Sequence, residues 1–329
     1  MFHQVPILKT QTLLSRKSPL GASLKIVKQT FSAYEGKPVR RVSFISGLHG
    51  DEMEGVYLCH RLIHGLRQIQ ETRPETLLGD VHIIPAANPP ALNQGTRLWP
   101  LYGSDMNRMM GPHPGKSLPV QLAREVFDDL KEHSDLVVDI HASNLHLKEL
   151  PQVRIIEEFS KILVPLALDT HVDLVWVHPM AGVFDSTLGY NLNQLDIPTL
   201  VIETGICLRI DKSYVDRLYH GMMHLLHRQG VLASLPPEIP PMPTSQVVYP
   251  RGVAQAIAKH SGLFAAQVTL GQPVSENEII GHILDPVAGE VLQKVTAPGK
   301  GRLFTLREQP AVHSGALLAR VALDREPRP

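Results

Sequence analysis

Two hydrophobic rhythms alternate along the chain. Nearly continuous apolar runs at 81–86, 136–140, 172–177 and 199–202 have the length and bounding turn residues of buried strands. Residues 23–33 and 37–46 read as two more strands, with Glu35-Gly36-Lys37-Pro38 as the turn between them. Met53, Val56, Leu62, Ile63, Leu66 and Ile69 then recur at mostly helical spacing, and 120–131 and 214–229 read as further helices. Lys161 to Ala167 is short and apolar. Strands alternating with helices predict an α/β domain.

Residues 88–118 break this rhythm. Pro89, Pro90, Gly95, Pro100, Gly103, Gly111, Pro112, Pro114 and Gly115 interrupt any helical period, and so long a loop inside a compact domain is usually functional. A second break lies at 235–250, where Pro236, Pro237, Pro240, Pro241, Pro243 and Pro250 mark an extended linker. The expected division is a first domain over 1–234 and a second over 251–329. The second has short β-rich runs between glycines, and it repeats itself. Val274, Asn277, Ile279-Ile280-Gly281 and Ile283 match Val312, Gly315, Leu317-Leu318-Ala319 and Val321. Asn277 and Gly315 both tolerate a left-handed turn. Two such halves predict a small all-β sandwich or barrel, similar to biotinyl and lipoyl carrier domains. Those carriers display a lysine on the hairpin after the first repeat. Asp285-Pro286-Val287-Ala288-Gly289 stands there instead, so the carrier reading is rejected.

Composition removes several function classes. Lys plus Arg equals Asp plus Glu at 32 each, which gives no bulk electrostatic reason to expect nucleic acid or an anionic membrane as partner. Cys59 and Cys207 provide no disulfide framework, so a reducing compartment is expected. The stretch 1–20 contains Lys9, Arg16 and Lys17 but no long apolar run. Neither a signal peptide nor a membrane span is expected there, and the expected location is the cytoplasm. Oligomeric state is left open, a homo-oligomer included.

Candidate chemistry gathers at strand ends. The stretch from Phe44 to Glu52 runs from a strand into a glycine-bounded turn and sets His49 and Glu52 three residues apart, at the edge where open α/β sheets hold ligands. The run at 136–140 ends on His141, which brings a second imidazole to the same edge. Two imidazoles and one carboxylate leave a coordination position open, the pattern of a catalytic zinc site. Asp139 is placed either to orient a ligand imidazole or to satisfy nearby backbone. Glu203 ends the 199–202 run, where a buried acid is costly without a function or a partner, and it is the candidate base. Arg97 and Asp105-Met106-Asn107-Arg108 lie in the 88–118 loop, where arginine suits bidentate capture of a carboxylate and solvated surface is the plain alternative. His178 also ends a strand, either lining a pocket or simply sitting in a loop. His60 and His64 lack the intervening glutamate of HExxH and fall off the apolar stripe; like His220, His224 and His227 they read as helix surface.

Together these motifs resemble a known family. The HGDE at His49–Glu52, the NP at Asn88-Pro89, the D-x-N-R at Asp105–Arg108, the DIH at Asp139–His141 and the E-x-G at Glu203–Gly205 resemble the succinylglutamate desuccinylase/aspartoacylase family of zinc carboxypeptidase-like hydrolases. The resemblance implies a mixed central sheet flanked by helices, followed by the small all-β domain. It implies that His49, Glu52 and His141 bind one zinc ion per chain and that Glu203 is the general base. It assigns Arg97 to the scissile carbonyl, and Asn107 with Arg108 to a substrate carboxylate. There are two departures. Met109-Met110-Gly111-Pro112 stands where the family usually has an aromatic followed by Pro-Gly, and the additional arginine of aspartoacylases has no match. The implied reaction removes an acetyl- or succinyl-class acyl group from an N-acylated amino acid or related small amine. One alternative is a zinc carboxypeptidase, which needs an open groove for a peptide, whereas the 251–329 segment is expected as a cover closing the site of an acylase. The other is a zinc-binding protein without catalysis, which would need neither Glu203 nor the arginines.

Overall fold

Three parallel strands bear the edge on which the site is built. The computed structural model describes residues 8–17, 21 and 23–324. The chain begins with β1 (Lys9–Lys17), β2 (Ser23–Phe31), β3 (Arg41–Ser46), α1 (Met53–Thr72), β4 (Asp80–Ile84) and α2 (Pro89–Gln94). It continues with α3 (Leu118–His133), β5 (Leu136–Ala142), β6 (Leu147–Ile156), α4 (Ser160–Leu168), β7 (Leu174–His178), α5 (Leu188–Asn193), β8 (Thr199–Gly205) and α6 (Lys212–Arg228). Strands alone follow: β9 (Gln246–Val248), β10 (Val253–Ile257), β11 (Gly262–Ala266), β12 (Pro273–Val274) and β13 (Ile279–Leu284). The last are β14 (Val291–Thr296), β15 (Gly301–Arg307), β16 (Ala311–Val312) and β17 (Leu317–Leu323).

The large sheet is mixed, as expected, and runs β1-β2-β4-β3-β5-β8-β6-β15-β17-β10, with β7, β9 and β12 attached beside this path. β3 pairs in parallel with β4 and β5, and β5 with β8, whereas β6 is antiparallel to both β8 and β15. Every residue of β5 is buried, because a central parallel strand is covered by helices on both faces. Alternating side chains feed two cores. Phe44, Val138 and Ile202 meet Leu58, Leu62 and Met222 of α1 and α6 on one face. Ile45, Ile84 and Val137 meet Leu122, Val126 and Leu192 of α3 and α5 on the other.

The sequence pattern and the structure differ in four places. The 88–118 stretch is not wholly irregular: Asn88 accepts from the Ala91 amide to cap α2, and prolines fill the first helical positions, where no N–H is needed. β1 and β6 carry no clean apolar pattern. Within the proline-rich stretch, β9 pairs with β7. The C-terminal strands also do not stand apart. β10, β17, β15 and β12 continue the large sheet through β6, while β14, β13, β11 and β16 form a second antiparallel layer packed on them around Phe264, Ile283, Leu303 and Val321. The internal repeat is visible in the backbone: Asn277 and Gly315 both adopt positive φ, at 64° and 87°, before β13 and β17.

Candidate active site

His49 and Glu52 sit in the turn that joins β3 to α1. Gly50 is pressed so close to α2 that a Cβ there would lie 2.0 Å from the carbonyl carbon of Ala91, so only glycine fits. Its amide donates to Thr96 O at 2.9 Å, and Asn88 Nδ2 donates to Leu48 O at 3.2 Å. These contacts clamp the turn against the segment that follows β4. His141 comes from the end of β5, and Glu203 is its paired residue on β8.

Glu52 lies between the two imidazoles. Its Oε1 is 2.7 Å from His49 Nδ1 and its Oε2 is 2.8 Å from His141 Nδ1, with the ring centroids 5.1 Å apart and all three residues buried. The Ala142 amide donates to Glu52 Oε2 at 3.1 Å, and Arg97 Nη1 donates to Oε1 at 3.2 Å. Burial works against the charge of Glu52, but the two imidazoles outweigh it and hold this carboxyl far below the usual range.

The far nitrogens explain the orientation. His49 Nε2 faces Asp105 Oδ1 at 2.9 Å and His141 Nε2 faces Asp139 Oδ2 at 3.0 Å. In the tautomer that donates Nε2–H to its aspartate, each neutral ring turns a bare Nδ1 lone pair toward Glu52. Two such nitrogens and two carboxylate oxygens facing one another suit a cation between them. All three residues can offer a ligand atom within 4.8 Å of the others. The donor set therefore fits a divalent ion. Burial opposes charge on both histidines, but the nearby carboxylates outweigh it and raise them above their ordinary value.

The group borders a cavity of about 420 Å³ that also takes in Arg97, Asn107, Arg108, Asp139, His178 and Glu203. Burial pushes Glu203 above its ordinary value, against the pull of Arg154 and His141. Arg97 binds Glu52 and, through Nη2 at 3.3 Å, Asp105. Arg154 binds Glu203 at 3.3 Å. Arg108 has no ion-pair partner among the described residues; its Nη1 donates to Asn107 O at 3.3 Å. Asn107 Oδ1 accepts from the Leu188 amide at 2.9 Å, and its Nδ2 lies 3.4 Å from His141 Nε2. The lining also includes the uncharged Ile156, Phe159, Leu163, Phe184, Tyr190 and Val201.

His178 therefore lines the cavity, and Asp139 bonds His141. His60 and His64 are exposed, and His224 and His227 bond the backbone at Pro240 and Leu232. Cys207 Sγ donates to Ser143 O at 2.8 Å, and burial raises its thiol far above the ordinary value, which keeps it protonated and inert. Sequence reasoning missed the roles of Asp105 and Arg154. The D-x-N-R motif was the available signal for Asp105; Arg154 carries none. No described residue after Glu203 lines the cavity, so the C-terminal strands do not cover it as expected.

Paired strand ends that gather two imidazoles, a shared carboxylate and a second acid beside a cavity define an enzyme site of the hydrolase class. The chain belongs to the succinylglutamate desuccinylase/aspartoacylase family: the model of that family's catalytic domain matches residues 38–228, more than half of the chain. N-α-acetyl-L-2,4-diaminobutyric acid deacetylase of Halomonas elongata is 25% identical over 292 residues, covering 84% of this chain and 80% of that one. The Homo sapiens N-acyl-aromatic-L-amino acid amidohydrolase (carboxylate-forming) is 25% identical over 185 residues, covering 51% of this chain and 54% of that one. A succinylglutamate desuccinylase/aspartoacylase structure from Rhodobacter sphaeroides matches with a TM-score of 0.76 at 21% identity, over 97% of this chain and 95% of the other, so the fold is shared along nearly the whole length. No helix among the described residues is long and apolar enough to cross a membrane.

Proposed function

We propose that the protein is a zinc-dependent amidohydrolase that cleaves the acyl group from an N-acylated amino acid. The observation that carries this reading is the convergence of His49, Glu52 and His141 at one point, bordering the same cavity as Glu203. His49 and His141 would hold the ion through Nδ1 and Glu52 through its carboxylate. When bound, zinc acidifies a water molecule to a pKa of about 7 and polarises the scissile carbonyl.

The protein's own groups do the rest. Glu203 accepts the proton of the attacking water and returns it to the departing nitrogen, and with the water's second proton also passing to that nitrogen the amide and water become a carboxylate and an ammonium group. Arg97 is assigned to stabilise negative charge developing on the carbonyl oxygen. Arg108, uncommitted to any described carboxylate, captures the carboxylate of the amino acid and fixes its orientation. Asn107 ties this loop to α5 by accepting from the Leu188 amide. The relatives acting on N-acetyldiaminobutyrate and on N-acyl aromatic amino acids support an acyl amino acid as substrate.

The test is amine release by zinc-loaded enzyme from N-acetyl and N-succinyl amino acids, run beside C-terminally varied peptides. Hydrolysis of one or more N-acyl amino acids is expected. Release of C-terminal residues from peptides alone, or no hydrolysis at all, would overturn the proposal.

A further inference from the structure

We propose that Arg154 is a positioning residue for Glu203, and that the C-terminal strands hold Arg154 in place through Arg320, Thr305 and Glu149. This rests on the reading of Glu203 as the base. The residues form one row across the sheet. Arg320 of β17 pairs with Thr305 of β15, Thr305 pairs with Glu149 of β6, and Gln152 of β6, beyond a register shift, pairs with Glu203 of β8. Glu203 in turn pairs with His141.

Glu149, which is 1% exposed, divides its oxygens between the two halves of the molecule. Oε1 accepts from Arg320 Nη1 at 2.8 Å and from Thr305 Oγ1 at 3.2 Å; Oε2 accepts from Arg154 Nη2 at 2.5 Å and from Gln152 Nε2 at 3.0 Å. Arg154 spends its other terminal nitrogen on Glu203 Oε1 at 3.3 Å. Both guanidinium groups lie over the ring of Trp176, at 5.5 Å for Arg154 and 5.1 Å for Arg320. Two carboxylates are thus balanced by two guanidinium ions, with Glu149 fully withdrawn from water and the others partly so.

The division of charge gives the row its function. Arg154 is shared between two acids, and it can reach Glu203 because Arg320 meets part of the demand of Glu149. Without Arg320, Glu149 draws Arg154 to itself and Glu203 loses the contact that fixes one of its oxygens. A glutamate with free torsions places its base oxygen poorly, and small misplacements of a reacting group cost rate rather than affinity. Neither Arg320, Thr305 nor Glu149 lines the cavity, so none of them touches substrate. The C-terminal strands therefore act on the site along the sheet, without entering the cavity.

The experiment measures kcat and KM of zinc-loaded Arg320→Met, Thr305→Val, Arg154→Met and Arg154→Lys, with Glu203→Gln in the same assay, on an N-acyl amino acid that the wild type hydrolyses. Arg320→Met is expected to lower kcat by about tenfold or more, with KM changed by less than about twofold and zinc content unaltered. Thr305→Val removes one hydrogen bond without unbalancing charge and serves if Arg320→Met does not fold; it lowers kcat by a smaller factor. Arg154→Lys retains more kcat than Arg154→Met. Unchanged kcat in folded Arg320→Met and Thr305→Val would make the row purely structural and sink the proposal. So would an Arg154→Met effect confined to KM, which would make Arg154 a substrate anchor. Wild-type turnover by Glu203→Gln would instead remove the base assignment itself.

Discussion

His141 and Glu203 occupy paired positions on the adjacent parallel strands β5 and β8, and both border the same cavity. Two rigid strands thus set the distance between a candidate metal ligand and the candidate base, with no loop in between. Replacing the carboxylate while keeping its shape should separate binding from chemistry. Glu203→Gln should keep its zinc and its thermal stability and lose on the order of 10²- to 10⁴-fold in kcat. A metal-loaded Gln variant with near wild-type turnover would refute the role.

Asp105 and Asp139 each accept from the far nitrogen of one histidine. Removing either frees its ring to rotate and to change tautomer, so Asp105→Ala and Asp139→Ala should each weaken zinc binding by about 10- to 100-fold. Competition with a chromophoric chelator measures this directly. Unchanged affinity in both variants would leave the aspartates with no part in holding the imidazoles.

Charge in the cavity points to substrate choice. Arg97 and Arg154 are bound to protein carboxylates, Arg108 is not, and the rest of the lining includes the apolar Ile156, Phe159, Leu163 and Phe184. A second substrate carboxylate would have to compete with Glu52, Asp105, Glu149 or Glu203 for a guanidinium. N-acetyl amino acids with neutral side chains should exceed N-succinylglutamate in kcat/KM by at least about tenfold. Arg108→Ala should raise KM for the preferred substrate far more than it lowers kcat. Preference for the dicarboxylate would contradict this reading of the cavity's charge.

Glu54, buried beside Gly205, accepts from Thr204 Oγ1 at 3.2 Å, and burial pushes its carboxyl up to about 8 from an ordinary 4.5. The folded state then keeps this proton to higher pH than the unfolded state does. Between about 4.5 and 8 the unfolded chain binds fewer protons at this group, so its contribution to stability falls as pH rises. Glu54→Gln should remove that slope. In thermal unfolding the variant should gain on the wild type at pH 8, and the gain should vanish near pH 4.5. Parallel curves of melting temperature against pH would show that Glu54 does not carry the dependence.

Much of the site is legible in the sequence because β3, β5 and β8 are apolar runs, each leading into a polar group at its end. His141 and Glu203 stand out against such backgrounds, and Gly47 and Gly50 punctuate the turn that bears His49 and Glu52. β6 is illegible for the opposite reason. Lys148, Glu149, Pro151, Gln152 and Arg154 break any strand period, and these polar side chains are tolerated only because Arg320 and Thr305 arrive from far along the chain to meet them. The bond from Asp105 to His49 spans a sequence separation of 56, so the D-x-N-R motif marks Asp105 without showing its partner. The position of the C-terminal strands depends on the pairing of β15 with β6, and edge pairing between distant strands has no signature in either strand alone.

The central claim is that His49, Glu52 and His141 hold a single divalent ion on which hydrolysis depends. Metal analysis of the purified protein and of its His49→Ala, Glu52→Ala and His141→Ala variants, each paired with an amine-release assay, tests it most directly. One zinc per chain in the wild type is expected, with zinc and activity lost together in each variant and after chelation, and with activity restored to the wild type by added zinc. Full zinc content in a variant lacking either imidazole, or undiminished hydrolysis by the metal-free wild type, would contradict it.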